Sequence, residues 1–170
     1  RGIDARLRQR GMVEDARATS MIFRGDATAI RADGAIDVRR VTPDDAAVFA
    51  AVQAQVNAPK EKWARGFLLG AALANVLEPG HAFYLAYAAG EPIGTALVVL
   101  EEGVAGIYSV ATLKAHRRRG AASTLMARAI IDAQASGAEV VCLECETGGD
   151  AMRLYAAMGF EPAHESVLWV

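Results

Sequence analysis

The stretch Arg117-Arg118-Arg119-Gly120-Ala121-Ala122 stands between an apolar run, Gly106 to Leu113, and a segment, Ala121 to Ala135, in which apolar residues recur at helical spacing. That order predicts a strand, a basic turn of small residues, and a helix. The first amides of such a helix lack intrahelical partners and carry the positive end of its macrodipole, so an anion can accept from several at once. Gly120, Ala121 and Ala122 put little bulk between the backbone and an incoming group, and Arg117, Arg118 and Arg119 add a field that attracts a polyanion. This chemistry suits a diphosphate. A solvated basic turn is the plainer alternative, and the surrounding chain decides between them.

Upstream, Ile36 to Val41 alternates as a short strand, and Thr42-Pro43-Asp44-Asp45 opens a helix with Thr42 as N-cap and Pro43 at its first position, running to about Val56. Asn57-Ala58-Pro59 breaks it. Lys60 to Leu77 then repeats apolar residues at helical spacing through Trp63, Phe67, Leu68, Ala71 and Ala74, and Glu78-Pro79-Gly80 ends that helix. Ala82 to Ala88 and Ile93 to Leu100 read as strands of a hairpin turning at Ala89-Gly90-Glu91-Pro92. Glu101-Glu102-Gly103 turns the chain into a third strand, Val104 to Thr112. The helix after the basic turn places Ala122, Leu125, Met126, Ala129, Ile130 and Ala133 on one face and ends at Ser136-Gly137. Val140 to Cys145 is a buried strand by its apolar content, Gly149 to Met158 a short helix, and Phe160 to Val170 the last strand. A right-handed crossover from Val104 to Cys145 places its two strands parallel and adjacent, with a ligand entering at their carboxyl ends. The fold class expected is α/β, a mixed, mostly antiparallel central sheet with flanking helices.

The spacing Arg-x-x-Gly-x-Ala at Arg117, Gly120 and Ala122, with Val110-Ala111-Thr112 before it and Leu125 after it, resembles the acetyl-coenzyme A motif of the GNAT superfamily of N-acetyltransferases. Leu154-Tyr155-Ala156-Ala157-Met158-Gly159-Phe160 resembles that superfamily's later Leu-Tyr-x-x-x-Gly-Phe signature and follows after one more strand. The resemblance covers roughly residues 36–170. Three positions depart from it: Lys114 where a proline is common, Ala122 where the last small residue is often glycine, and Gly148 where an asparagine is frequent.

The resemblance implies an acetyl-coenzyme A-dependent N-acetyltransferase that moves an acetyl group to a primary amine by direct attack in a ternary complex. It implies that the diphosphate lies over Arg117, Arg118, Arg119, Gly120, Ala121, Ala122 and Ser123. The pantetheine arm then lies along Ser109 to Thr112, with Val110, Ala111 and Thr112 in contact and an amide near Val110 facing the thioester oxygen. Tyr155 is the candidate that protonates the departing thiolate. The other reading is a non-catalytic acyl-coenzyme A sensor or interaction module, kept open because Val104 to Thr112 contains no carboxylate to serve as base and Gly148 replaces the frequent asparagine. Glu101, Glu144 and Glu146 are the remaining carboxylate candidates, and Tyr108 or Ser109 the alternatives for ordering a water. Trp63 and Phe67, near the turn Asn57 to Trp63, are equally candidates for an acceptor-pocket wall and for a core stripe.

Composition limits the rest. A chain of 170 residues, 53% hydrophobic and 22% charged, suits one soluble globular domain, and a net charge of -2 argues against a general nucleic-acid binder. No apolar run is long enough to span a bilayer and no signal peptide is recognisable, so the expected setting is cytoplasmic, with no nucleic-acid or membrane partner. The expected partner is a small-molecule or peptide amine, and assembly as a homodimer is left open. Cys142 and Cys145 form a lone Cys-x-x-Cys on a strand, where residues three apart face opposite ways, so a reduced, packing role is expected and no metal site. His81, His116 and His164 read as surface residues. Residues 1–35 precede the resembling part. Arg6 to Glu14 followed by Thr19 to Phe23 looks loosely like the chain's own ending, helix end, glycine, apolar residue and strand. Either an unrelated extension or the tail of a preceding related module accounts for it, and the second requires Thr19 to Phe23 to lie on a sheet edge.

Overall fold

A computed structural model describes residues 2–57, 66, 70–72 and 74–170. In chain order its elements are α1 (Ile3–Gln9), β1 (Glu14–Phe23), β2 (Ile36–Arg40), α2 (Ala46–Asn57), β3 (His81–Ala88), β4 (Glu91–Glu101), β5 (Val104–Thr112), α3 (Ala121–Ala135), β6 (Val140–Glu146), α4 (Asp150–Ala157) and β7 (Phe160–Trp169). They group into two compact units, residues 26–141 and residues 1–25 with 142–170. The class is α/β, with mostly antiparallel strands and flanking helices, as expected.

In the larger unit β2, β3, β4 and β5 pair in that order, each antiparallel to the next. Ala89-Gly90 and Glu102-Gly103 close the two hairpins with positive φ at both residues, 50° and 83°, then 46° and 78°. This turn geometry matches the twist of the flanking strands. The register makes the two sheet faces different. Ala82, Tyr84 and Ala86 lie opposite Val98, Ala96 and Gly94, a face of mostly small residues. Against it packs α3, with Leu125, Met126 and Ile130 fully buried. A Cβ at Gly94 would stand 3.1 Å from Leu125 Cδ1, so the helix seats closely because that position has no side chain. Phe83 and Leu85 occupy the other face with Leu97 and Thr95, beneath α2 and its Phe49, Ala50 and Val52. Each large apolar side chain so buried contributes roughly 1.5–3 kcal/mol.

The helix boundaries follow the capping residues. Asp45 Oδ2 accepts from the Thr42 amide at 3.2 Å and the Thr42 hydroxyl at 2.8 Å, and Pro43 to Asp45 form a 3-10 turn that leads into α2. Ser136 and Gly137 close α3 as expected. The chain then returns to the base of β5, where the Glu139 and Val140 amides donate to the Gly103 carbonyl at 2.8 and 3.1 Å, as a parallel crossover requires. Of the helix expected over Lys60 to Leu77, Gly66, Gly70 to Ala72, Ala74 and Asn75 are helical. Trp63, Phe67 and Leu68 lie outside the described residues.

In the smaller unit β1 pairs antiparallel with β6 on one side and β7 on the other. Thr19 to Phe23 is therefore part of a central strand, not an edge, and the strand starts earlier, at Glu14. Its inward residues explain the position: Thr19 and Met21 are buried, 3% and 0% exposed, and pairing on both sides satisfies the backbone around them. An edge is what the repeat reading asked for, and β1 does not have it. What the two segments share is local, a helix, a left-handed glycine (Gly11 at φ 80° and Gly159 at 99°) and a strand. β6 departs from the uniformly buried strand expected: Val141 and Leu143 are buried while Glu144 and Glu146 are exposed, the alternation of a half-covered sheet.

Candidate functional site

The larger unit carries the basic turn. Lys114 to His116 form one 3-10 turn, Arg117 is extended, Arg118 has φ 61° and Gly120 φ 82°, and α3 starts at Ala121. Two left-handed residues in three reverse the chain so that β5 runs into the helix N-terminus. No side chain caps that terminus, and the first intrahelical bond is Thr124 amide to Gly120 carbonyl at 2.9 Å. The amides of Ala121, Ala122 and Ser123 are thus the donors that helix geometry leaves over. Arg118 and Arg119 are exposed, while the Arg117 Nε donates back to the Thr112 carbonyl at 3.2 Å and ties the turn to the end of β5. Ala122 is only half-buried, unlike the rest of its expected apolar face, because it lies at this open end.

Just before the turn, β5 is irregular. Thr95 lies opposite Ala111 and Leu97 opposite Tyr108, so Ala96 faces both Ser109 and Val110, a bulge with Ser109 at φ 52°. Buried groups hold it. The Ser109 carbonyl accepts from the Thr95 hydroxyl at 2.8 Å and from Gln53 Nε2 at 2.6 Å; Gln53 and Thr95 are 5% and 0% exposed. Gln53 also donates to the Thr95 hydroxyl at 2.5 Å and accepts from Asn57 at 2.9 Å. A left-handed non-glycine residue costs about 1–3 kcal/mol and persists where its surroundings hold it. Sequence reasoning missed this clamp, although a glutamine at i+4 from Phe49 on a helix of apolar residues was its signal.

The amino-acid sequence matches the model of the acetyltransferase (GNAT) family over residues 49–160. The chain belongs to the GNAT family. Among solved structures, a GCN5-related N-acetyltransferase from Sphaerobacter thermophilus is 24% identical at a TM-score of 0.79, covering 97% of this chain and 54% of its own. One from Kribbella flavida is 22% identical at 0.73, covering 99% and 63%. AAC(6')-Iy, solved with the bisubstrate analogue CoA-S-monomethyl-acetylneamine, is 18% identical at 0.68, covering 79% and 97%. These likenesses establish the fold. The chain spans 54% and 63% of the first two relatives, less than two thirds of either. No curated protein sequence matches it.

The second GNAT motif lies in the smaller unit. Tyr155 is 8% exposed, its ring 5.9 Å from that of Phe160, which meets Phe23 at 5.2 Å. Burial, with a smaller contribution from Cys145, pushes the Tyr155 phenol up to about 12. It keeps its proton at any physiological pH. Burial also raises both cysteine thiols, and the Glu144 carboxylate adds to the rise at Cys145, so neither is an activated nucleophile. Gly148, in place of an asparagine, has φ 73°, a left-handed position that asparagine also tolerates, so the turn into α4 keeps its backbone shape.

The remaining candidates separate. Glu101, Glu144 and Glu146 are all exposed, and His164 is exposed on β7. His116 stays half-exposed within the turn. His81 is a correction: it is half-buried, stacks on Phe83 and lines a cavity, because the start of β3 turns it toward the α2 face. Tyr108 is 54% exposed, with its ring folded over Gly106, so that a Cβ there would meet its phenol oxygen at 2.7 Å. No helix among the described residues is long and apolar enough to cross a membrane.

Asp33 is a further neighbour of this GNAT domain's basic turn that the sequence did not signal. Its amide donates to the Thr124 hydroxyl at 2.9 Å, and its Cβ stands 3.0 Å from where a Gly120 Cβ would be. A carboxylate beside an uncapped helix N-terminus and three arginines opposes any polyanion that approaches them. Asp33→Asn keeps the oxygen that accepts from the Ala35 amide and removes the charge. Its affinity for coenzyme A should rise about two- to fivefold at low ionic strength and converge with the parent at high salt. Titration calorimetry at two salt concentrations checks this, and weaker binding by the variant would contradict it.

Proposed function

We propose that this chain is an acetyl-coenzyme A-dependent N-acetyltransferase acting on a primary amine by direct attack in a ternary complex. The observation that carries the reading is the left-handed turn at Arg118 and Gly120, which opens an uncapped helix N-terminus at the end of a bulged strand. The residues present fit the group: Gly120 leaves a space that a Cβ would fill against Asp33, the first helix amides have no side-chain cap, and three exposed arginines precede them in the chain. Acetyl-coenzyme A supplies the activated acyl carbonyl and a thiolate leaving group. Ala121, Ala122 and Ser123, with Arg117, Arg118 and Arg119, would hold its diphosphate by amide hydrogen bonds and charge. Val110, Ala111 and Thr112 would offer backbone groups to the pantetheine arm. An amide near Val110, beside the bulge, would donate to the carbonyl oxygen, a contact worth about 3 kcal/mol when well aimed.

Tyr155 would keep its proton available for the departing sulfur. Its raised pKa makes it a weaker acid than free tyrosine but keeps it loaded. Tyr155→Phe should lower kcat about 100-fold with unchanged affinity for acetyl-coenzyme A. A raised folded-state pKa favours folding fully below pH ~10, the unfolded value, and that contribution is lost as pH rises toward about 12. The same variant should therefore lose less stability than the parent over that interval. Unaltered turnover would remove the catalytic role. Thiol release from acetyl-coenzyme A across a panel of amines tests the whole reading, since cofactor binding with no release on any amine would indicate a sensor.

A further inference from the structure

Beside the bulge, on the face that α2 covers, the larger unit contains a cavity of about 230 Å³. Three rings form its wall. Phe49 and Phe83 meet edge to face at 5.0 Å and 77°, and His81 stacks on Phe83 at 6.5 Å and 19°. Leu97, Asn75 and Ser109 also line it, so the cavity reaches the residue whose carbonyl Gln53 and Thr95 hold. The register places Tyr108 in the same row as Phe83 and Leu97, and its ring covers Gly106 in the row of His81 and Val99.

His81 is oriented. Its Nδ1 lies 3.3 Å from the Pro79 carbonyl oxygen, and a carbonyl only accepts, so Nδ1 carries the hydrogen of that contact. The neutral ring then has its basic lone pair on Nε2. His81 lines the same cavity as Ser109 and carries a basic nitrogen, a group that β5, without a carboxylate, does not supply.

We propose that this cavity is the acceptor pocket, that it takes a compact monoamine with a single-ring apolar body, and that His81 Nε2 receives the ammonium proton. A cavity of about 150 Å³ admits benzene, so this one has room for one ring with a short aminoalkyl arm. The inference rests on the acetyltransferase reading above. In the step, the ammonium gives one proton to Nε2, and the amine lone pair forms the new N–C bond. The C–S bond breaks with its electron pair going to sulfur. The sulfur takes its proton from Tyr155, and the nitrogen's second proton returns through water to that phenolate, giving amide and free thiol, while imidazolium releases its proton to water.

The test uses 2-phenylethylamine, spermidine and a lysine-containing peptide as acceptors, with binding of each to the protein alone measured by ligand-observed NMR. Phenylethylamine should bind and give the highest kcat/KM of the three. Leu97→Phe, which shrinks the cavity, and Phe83→Leu, which removes a ring, should each raise its KM about tenfold without changing affinity for acetyl-coenzyme A, a loss on the scale of a few methylene contacts. His81→Ala should lower kcat about 100-fold, with activity partly restored by added imidazole. Acetylation of spermidine or the peptide, with phenylethylamine neither bound nor acetylated, would overturn the pocket and leave the transferase reading standing. Phenylethylamine binding that Leu97→Phe abolishes, with no thiol release on any amine, would keep the pocket and overturn both transfer and the role of His81.

Discussion

Gly120→Val should weaken acetyl-coenzyme A binding by about a hundredfold or more while leaving most of the fold intact. Gly120 has φ 82°, where a side chain costs roughly 1–2 kcal/mol, and a branched one more. Its Cβ would stand 3.0 Å from Asp33 Cβ, so either the Asp33 loop or the turn must move. Movement of the turn tilts the amides of Ala121, Ala122 and Ser123 away from their common target. Losing two hydrogen bonds to a charged group, at about 1.5–3 kcal/mol each, accounts for that loss of affinity. The strain falls on one turn, whereas α3 is fixed by Leu125, Met126 and Ile130, so circular dichroism should show a near-native spectrum. Gly120→Ala should fall between the two proteins. Titration calorimetry with coenzyme A decides the matter, and an unchanged Kd for the valine variant would remove the turn from the binding site.

Thr95→Val should lower both stability and turnover. The hydroxyl is fully buried, donates to the Ser109 carbonyl and accepts from Gln53, and valine keeps the shape while removing both bonds. The cost expected is about 1–3 kcal/mol of folding free energy, seen as a Tm lower by several degrees. The bulge then loses one of its two restraints, and Ser109 can relax from its left-handed conformation toward a regular strand. An amide near Val110 that is aimed by the bulge would lose its aim, so kcat should fall at least about tenfold with the KM for acetyl-coenzyme A nearly unchanged. Thr95→Ser retains the hydroxyl and should recover most of kcat. A loss of Tm with unaltered kcat would make the clamp structural only. Gln53→Leu should resemble Thr95→Val, and the double variant should cost less than the sum, because both act on one carbonyl.

The elements most legible in the amino-acid sequence were those with a period and a stop. β5 and α3 begin and end where the apolar runs and Ser136-Gly137 predict, and the Thr42, Pro43 and Asp45 signature opens a 3-10 turn that leads into α2. Local chemistry suffices there, since helix caps and two-residue turns involve neighbours only. The place of β1 in the sheet was left open for the opposite reason. Its residues alternate like those of an edge or a centre alike, and only pairing with β6 and β7 makes it central. His81 was read as a surface residue because nothing beside it in the chain is aromatic except Phe83, two positions on. The cavity is completed by Phe49 and Leu97, which lie far away along the chain.

By itself the amino-acid sequence determined the fold class, the strand–turn–helix around Gly120 and the family, because each depends on short spacings that neighbouring residues enforce. Tertiary structure alone decided that Gln53 and Thr95 grip the Ser109 carbonyl, that Asp33 lies against Gly120, and that His81 lines an aromatic cavity. Each of these joins residues from separate elements, and their meeting is fixed by strand register and by which sheet face a helix covers. A one-residue slip of β4 would move Thr95 to the other face and dissolve the clamp, with every local signal in the chain unchanged.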